Sequence, residues 1–393
     1  MHIRPFALIQ PGAPGSELPL HMLTSILNVV NAPSSPPQQV EAPEISERYS
    51  RQILFPGIGV AGQSLLAQSH VAIAGVGATG AASASLLARA GVGRLTLVDR
   101  DFVEASNLQR QILFDESDAA QSLPKAEAAR RKIALFNSSV RVDAVVADLV
   151  PGNIHTLLAD AHLILDCTDN FETRFLLNDY AVQQTKPWIY AAALGSYAAS
   201  MNILPEPAPG NRSDYEATAC LACLFPAPPS GAVETCDTAG ILASAVNLAA
   251  SIQTTEALKF LTRQTQRMRR TLLAWDLWSG EHSEVSAATS NPGCPVCHGR
   301  TFAHLAGSSR PHITLCGRNS VQIHEHNRPI DLAALRQRLR KHPDLEDLRA
   351  NPMLLRFRRG PLTLSVFPDG RALIQGTTDP SIARALYARF LGS

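Results

Sequence analysis

His70-Val71-Ala72-Ile73-Ala74 followed by Gly75-Val76-Gly77-Ala78-Thr79-Gly80 is the stretch that decides the fold. The apolar run is short and ends in glycine punctuation, which reads as a buried strand. Ala81 to Ala90 has helical composition and stops at Gly91, a helix-ending signal. Between them lies G-x-G-x-x-G, placed after a strand and before a helix. Its glycines allow a tight turn and let backbone N–H groups approach a phosphate, helped by the positive end of the helix dipole. Arg94 to Val98 is the next strand and closes at Asp99, 19 residues beyond Gly80, where an acid can bind ribose hydroxyls. Gly75, Gly77, Gly80 and Asp99 together indicate an adenine nucleotide. They do not separate NAD from ATP, so an NAD-dependent oxidoreductase stays open at this point.

Further along, Lys125 to Phe136 reads as a helix, Val140 to Ala147 as a strand and Leu163 to Cys167 as another strand ending in acids. Strands alternating with helices of this length predict an α/β fold with a doubly wound, mostly parallel, Rossmann-like sheet. Thr235 to Leu261 reads as strongly helical. From His312 onward the composition changes and predicts a strand (Ile313 to Leu315), a helix (Asp331 to Lys341), two or three strands (Leu354 to Gln375) and a last helix (Pro380 to Leu391). Phe367-Pro368-Asp369-Gly370 marks a hairpin turn. The expected organisation is a disordered Pro-rich extension (1–46), a nucleotide-binding domain (47–302) and a small α+β domain (310–393). Met22 is a rival start position for the chain.

Composition narrows the function classes. Lys+Arg number 35 against 34 Asp+Glu, so no overall field favours nucleic acid or a membrane surface. The longest apolar runs are too short to span a bilayer. Of seven cysteines, four form Cys220-Leu221-Ala222-Cys223 and Cys294-Pro295-Val296-Cys297. Two C-x-x-C knuckles suit tetrahedral Zn²⁺ and a reducing, cytoplasmic compartment rather than a disulfide framework. A closed four-cysteine site keeps no open coordination position, so the expected role is a structural staple.

The next segments bear on NAD against ATP. Asn107-Leu108-Gln109-Arg110-Gln111 follows Asp99, and Pro124-Lys125 opens the next helix. Singly, Arg110 or Lys125 is an ordinary surface charge. Clustered, they suit an enzyme that expels pyrophosphate and must meet the charge building on it. Asp166-Cys167-Thr168-Asp169-Asn170 lies at a strand's C-terminal end, where open α/β sheets bind ligands. A carboxylate there can hold Mg²⁺. Equally, Asp169 or Asn170 can cap the following helix.

Taken with Glu47-Arg48-Tyr49-Ser50-Arg51-Gln52, these segments resemble the MoeB/ThiF/HesA branch of the ubiquitin-activating-enzyme superfamily over roughly residues 47 to 300. The resemblance implies an ATP-dependent adenylyltransferase acting on the terminal glycine of a small ubiquitin-like sulfur-carrier protein ending in Gly-Gly. It implies that Asp99 binds the ribose, that Asn107, Arg110 and Lys125 contact the phosphates, and that Asp169 organises Mg²⁺. It also implies a homodimer in which Arg51 reaches the ATP of the other subunit. Cys236 resembles the position some relatives use to attach the carrier through sulfur; a loop cysteine with no covalent role is the alternative.

Two departures are visible. The residue after Gly77 is Ala78 where relatives commonly have glycine, and Ile241 to Ser251 lacks their Gly/Pro-rich run, predicting a more regular helix. Longer relatives often end in a rhodanese domain. Cys316-Gly317-Arg318-Asn319-Ser320 is only superficially similar to its reactive loop, so a sulfurtransferase donor is expected as a separate partner. The last domain reads as a carrier-docking or dimer-supporting module. His324-Glu325-His326 reads as an exposed edge or loop. A catalytically inactive carrier-binding scaffold is the non-enzyme rival, and such a scaffold has no use for Arg51, Arg110, Lys125 and Asp169 together.

Overall fold

The computed structural model describes residues 47–207, 210, 213–227, 239–307, 314–315, 320–324, 329–368 and 370–391. The expected N-terminal extension, Cys236, Cys316 and the Glu325-His326 pair lie outside the described residues.

The first sheet has eight strands in the order β3-β2-β1-β4-β5-β6-β7-β8. They are β1 (His70–Ala74), β2 (Arg94–Val98), β3 (Arg141–Val145), β4 (Leu163–Asp166), β5 (Trp188–Leu194), β6 (Tyr197–Ile203), β7 (Thr271–Asp276) and β8 (His282–Ser286). The pairings from β3 through β5 are parallel, and those from β5 to β8 antiparallel. The mostly parallel sheet read from the sequence is therefore present. Its antiparallel extension was not read, because Tyr190-Ala-Ala-Ala-Leu194 and the polar β8 carry no clear period-2 pattern.

The helices are α1 (Ser50–Ile53), α2 (Gly59–Ala67), α3 (Ala78–Ala90), α4 (Glu116–Ala120), α5 (Lys125–Phe136), α6 (Ile154–Leu158), α7 (Phe171–Gln183), α8 (Leu221–Leu224) and α9 (Ala243–Leu261). α9 forms the later part of the helical stretch expected over Thr235 to Leu261, with Leu242 as its N-cap; residues 235–238 lie outside the described residues. α3 stops at Gly91, whose φ of 84° is the left-handed turn expected of that glycine. The core has two layers: one packs Ile73, Leu87, Leu95 and Leu97 against Ala126, Ala129 and Ile133, the other packs Ile164, Phe175, Tyr180 and Trp188 around Met201 and Cys220.

A second sheet of six antiparallel strands follows, in the order β11-β12-β13-β14-β10-β9. Its strands are β9 (Thr314–Leu315), β10 (Ser320–His324), β11 (Glu346–Asn351), β12 (Leu354–Arg359), β13 (Leu362–Val366) and β14 (Arg371–Gln375), with helices α10 (Leu332–Leu339) and α11 (Pro380–Leu391). Alternation along the strands sets the two faces. Leu355, Phe357, Leu364, Val366 and Ile374 pack on the helices, whereas Leu354, Phe367 and Leu373 pack on Phe102 of the first sheet's loops. β13 and β14 pair antiparallel as the hairpin reading expected; Asp369 of the expected turn lies outside the described residues.

Candidate active site and cysteine cluster

The glycine loop sits where β1 lies between β2 and β4, the switch point at which open α/β sheets take ligands. Gly75 needs its positive φ of 84°. A Cβ on Gly80 would meet Gly75 O at 1.9 Å, so only glycine lets the helix approach the loop this closely. Gly77 differs: a Cβ there would meet nothing within 4 Å. It is the N-cap of α3, and no side chain caps the helix. Backbone amides therefore face an open surface, a donor set that fits a phosphate.

Asp99 closes this loop onto the end of β2. Its Oδ2 accepts the Val76 N–H at 2.6 Å and its Oδ1 the Asp101 N–H at 2.7 Å. Each oxygen keeps a second lone pair for a hydroxyl. Burial pushes the Asp99 pKa up, against the pull of the nearby Lys125 charge. Lys125 is only 2% exposed; its Nζ lies 3.1 Å from Asp101 Oδ2 and its N–H donates to Asp101 O at 2.9 Å. Asp101 is thus the residue that aims the lysine, and the sequence reading passed over it although it stands two places after Asp99. Asn107 ends a 3₁₀ turn (Ala105–Asn107), and its Oδ1 accepts the Glu104 N–H at 3.1 Å. That leaves its amide group as a donor. Arg110, half-buried, donates from Nη1 to Ser106 O at 2.9 Å.

The acidic loop after β4 sorts its two aspartates. Asp166 is fully buried. Its Oδ1 accepts the Thr168 N–H at 3.0 Å and hydroxyl at 2.7 Å, and Arg174 Nε lies 3.3 Å from its Oδ2. Burial pushes its pKa up, with Arg174 opposing. Asn170 caps α7 by accepting the Thr173 N–H at 2.8 Å, so capping does not fall to Asp169, which is exposed. Of the loop's two carboxylates, Asp169 is the exposed one and Asp166 the buried one. Arg174 was missed from the sequence; the signal was an arginine one turn into the helix, directly before the apolar run Phe175-Leu176-Leu177. It also donates to Thr168 O at 2.7 Å and lies over Tyr190, 5.0 Å from the ring centroid. Gln253 of α9, fully buried, ties the loop's root to the sheet through Asp166 O at 2.9 Å and Ile189 O at 2.8 Å. Its Oε1 accepts from Ser83 and from the Cys167 thiol, and burial pushes that thiol's pKa up, which keeps it protonated.

Arg51 is not brought to this group. Its neighbour Gln52 donates to Ala90 O at 2.8 Å, and Asn137 donates to the Tyr49 hydroxyl at 2.9 Å. The segment is thereby fixed at the C-terminal end of α3. At about 1.5 Å per residue, that helix puts ~20 Å between Arg51's anchor and the glycine loop. An arginine side chain cannot bridge this within one subunit. Leu54 and Phe55 beside it are 72% and 61% exposed.

The four cysteines, far apart in sequence, come together. All four Sγ atoms lie within 4.8 Å of one another. Cys220–Cys223, Cys220–Cys294 and Cys223–Cys297 are separated by 3.8, 3.6 and 3.5 Å. A tetrahedral ion with bonds of about 2.3 Å requires edges of ~3.8 Å, so the cluster fits a metal. Asn178 of α7 accepts the Leu221 N–H at 2.8 Å, and Asp179 accepts the His304 N–H at 2.9 Å, which holds both knuckles on one helix.

A family model described as ThiF family matches residues 49–296. The chain belongs to the ThiF family. A "Sulfur carrier protein ThiS adenylyltransferase" of Bacillus subtilis is 43% identical over 348 residues, covering 88% of this chain and 99% of that one. A "SAMP-activating enzyme E1" of Haloferax volcanii is 36% identical over 252 residues, covering 64% and 88%. The solved structure "Crystal structure of E. coli MccB + ATP" superposes with a TM-score of 0.54 at 24% identity, over 64% of this chain and 75% of that one; it shows the shared fold. This ThiF-family chain is a nucleotidyltransferase. Among its described residues, no helix is long and apolar enough to cross a membrane.

Proposed function

We propose that the chain adenylates the C-terminal glycine of a ubiquitin-like sulfur-carrier protein at the expense of ATP. The observation that supports this reading best is that Asp99 holds the Val76 N–H of the amide-lined loop while buried Lys125 lies 3.1 Å from Asp101, two residues further on. A nicotinamide oxidoreductase has no use for that lysine. The carrier's terminal carboxylate oxygen attacks the α-phosphorus, the bond to the β-phosphate oxygen breaks, and pyrophosphate leaves with its electron pair. The products are an acyl-adenylate and pyrophosphate. Lys125, Arg110 and Asn107 meet the negative charge on the phosphates, Asp99 takes the ribose, and no nucleophilic side chain is needed for this step. Asp169, an exposed carboxylate, would hold Mg²⁺, which would supply positive charge against the phosphates.

The ThiS-type, thiamine-related carrier is preferred over a molybdopterin-type one, because the B. subtilis relative matches along nearly its whole length. The homodimer reading rests on Arg51, which is out of reach of its own loop, and on exposed Leu54, Phe55, Leu86, Ile112 and Leu135 nearby. The metal reading assigns structural Zn²⁺ to Cys220, Cys223, Cys294 and Cys297. Cys236 stays a candidate for covalent carrier attachment, with sulfur delivered by a separate sulfurtransferase.

The test is ATP–pyrophosphate exchange with a purified ThiS-type carrier and, in parallel, a molybdopterin-type one. Carrier-dependent exchange with the first supports the reading. No exchange with any Gly-Gly-ended carrier rejects it.

A further inference from the structure

The second sheet holds the loop that carries Asn107 and Lys125. Arg356 of β12 places Nη2 3.3 Å from Glu104 Oε1, with its guanidinium 4.4 Å from the centroid of Phe102. Arg371 donates to Val146 O at 3.0 Å and Asn351 to Ser122 O at 3.4 Å. Phe102, Leu354, Phe367 and Leu373 bury one another between the two sheets.

The two residues under Arg356 contact Asn107 and Pro124, the second of which directly precedes Lys125. Glu104 forms a reciprocal box with Asn107, accepting its N–H and donating its own N–H to Asn107 Oδ1. Phe102 pairs with Pro124, the residue before Lys125. The arginine therefore fixes the Asn107 turn through a charged contact and the start of the Lys125 helix through a stacked ring. The Arg356 and Glu104 side chains are 22% and 34% exposed, so water screens the pair only in part. Such packing is what holds binding groups in place before a ligand arrives.

We propose that Arg356 is a positioning residue for the nucleotide site, and that the C-terminal sheet sets ATP affinity by clamping the 102–125 loop. This rests on reading Asn107 and Lys125 as ATP ligands. It gives the last domain a role on the nucleotide side, where the sequence suggested carrier docking or dimer support.

The full-length chain tests it as Arg356→Gln, Arg356→Lys, Glu104→Gln and the Glu104→Gln/Arg356→Gln double variant. Arg358→Gln is the control, since its pair with Glu346 is exposed. The readouts are KM for ATP and for the carrier in pyrophosphate exchange, equilibrium binding of a fluorescent ATP analogue, and thermal unfolding. Arg356→Gln is expected to raise ATP KM and analogue Kd on the order of tenfold while carrier KM stays constant. Arg356→Lys should recover part of the loss, because an ammonium meets Glu104 but stacks poorly on Phe102. The double variant should be no worse than Arg356→Gln. Wild-type ATP binding in Arg356→Gln, an equal loss in Arg358→Gln, or a change in carrier KM alone overturns the proposal. A wild type that binds ATP without exchanging pyrophosphate counts against the adenylation reading only.

Discussion

Arg174 Nε lies 3.3 Å from Asp166 Oδ2, and neither side chain is more than 8% exposed. The pair locks the root of the loop that carries the exposed Asp169. Removing one partner of a buried ion pair strands the other, at a cost of about 3–5 kcal/mol. Arg174→Ala should lower the urea midpoint accordingly, and exchange activity should fall with it. An unchanged midpoint would show that the pair is not the lock.

Lys125→Ala or Asp169→Ala should reduce pyrophosphate exchange by about a hundredfold or more, since each removes a group meant for phosphate charge. Far-UV circular dichroism should not change. A wild-type rate in either variant removes that residue from the proposed site.

Arg51 is anchored at the far end of α3 from the glycine loop, so the proposed role at ATP requires a second copy of the chain. Arg51→Ala and Asp169→Ala chains should each be inactive alone. Mixed after dissociation, they should regain roughly a quarter of wild-type activity, the share expected when one site per mixed dimer is intact and half the dimers are mixed. No recovery in demonstrably mixed dimers rejects action across the interface.

The cysteine cluster predicts about one zinc per chain by metal analysis. Cys220→Ser should lower that stoichiometry and destabilise the chain by several kcal/mol. Full zinc content in Cys220→Ser would rule out the four-cysteine site.

His70 gives a pH signature. Its Nε2 lies 2.8 Å from Thr96 Oγ1 and its Nδ1 3.1 Å from Asp160 O, which suits a neutral ring. Burial, then Arg94, lowers its pKa from the ordinary 6.5, with Asp143 pulling the other way and His162 adding to the fall. The unfolded chain therefore takes the proton first. Stability from this group is complete above about pH 6.5 and is lost as pH falls toward the folded pKa. Between pH 7.5 and 5.5, unfolding free energy should decline less in His70→Gln than in the wild type. Parallel slopes would show that His70 does not contribute.

Several elements could be read locally. The strand–glycine–helix unit, the Lys125 to Phe136 helix and the final Pro380 to Leu391 helix match the structure because period, caps and glycines act within a few residues. Strands β5 to β8 escaped, since alanine-rich and polar segments become strands here only by pairing with a formed neighbour. Arg174 and Asp101 escaped for a similar reason: their value lies in what they face.

By itself the sequence determined a glycine loop between strand and helix, an ordered set of charged residues and two C-x-x-C knuckles, all written in spacings of a few residues. Tertiary structure alone decided which of Asp166 and Asp169 is exposed, that Arg51 stands apart from its own loop, and that Arg356 meets Glu104. Those outcomes depend on which faces pack across long stretches of chain, and burial energy settles that only when the whole core assembles.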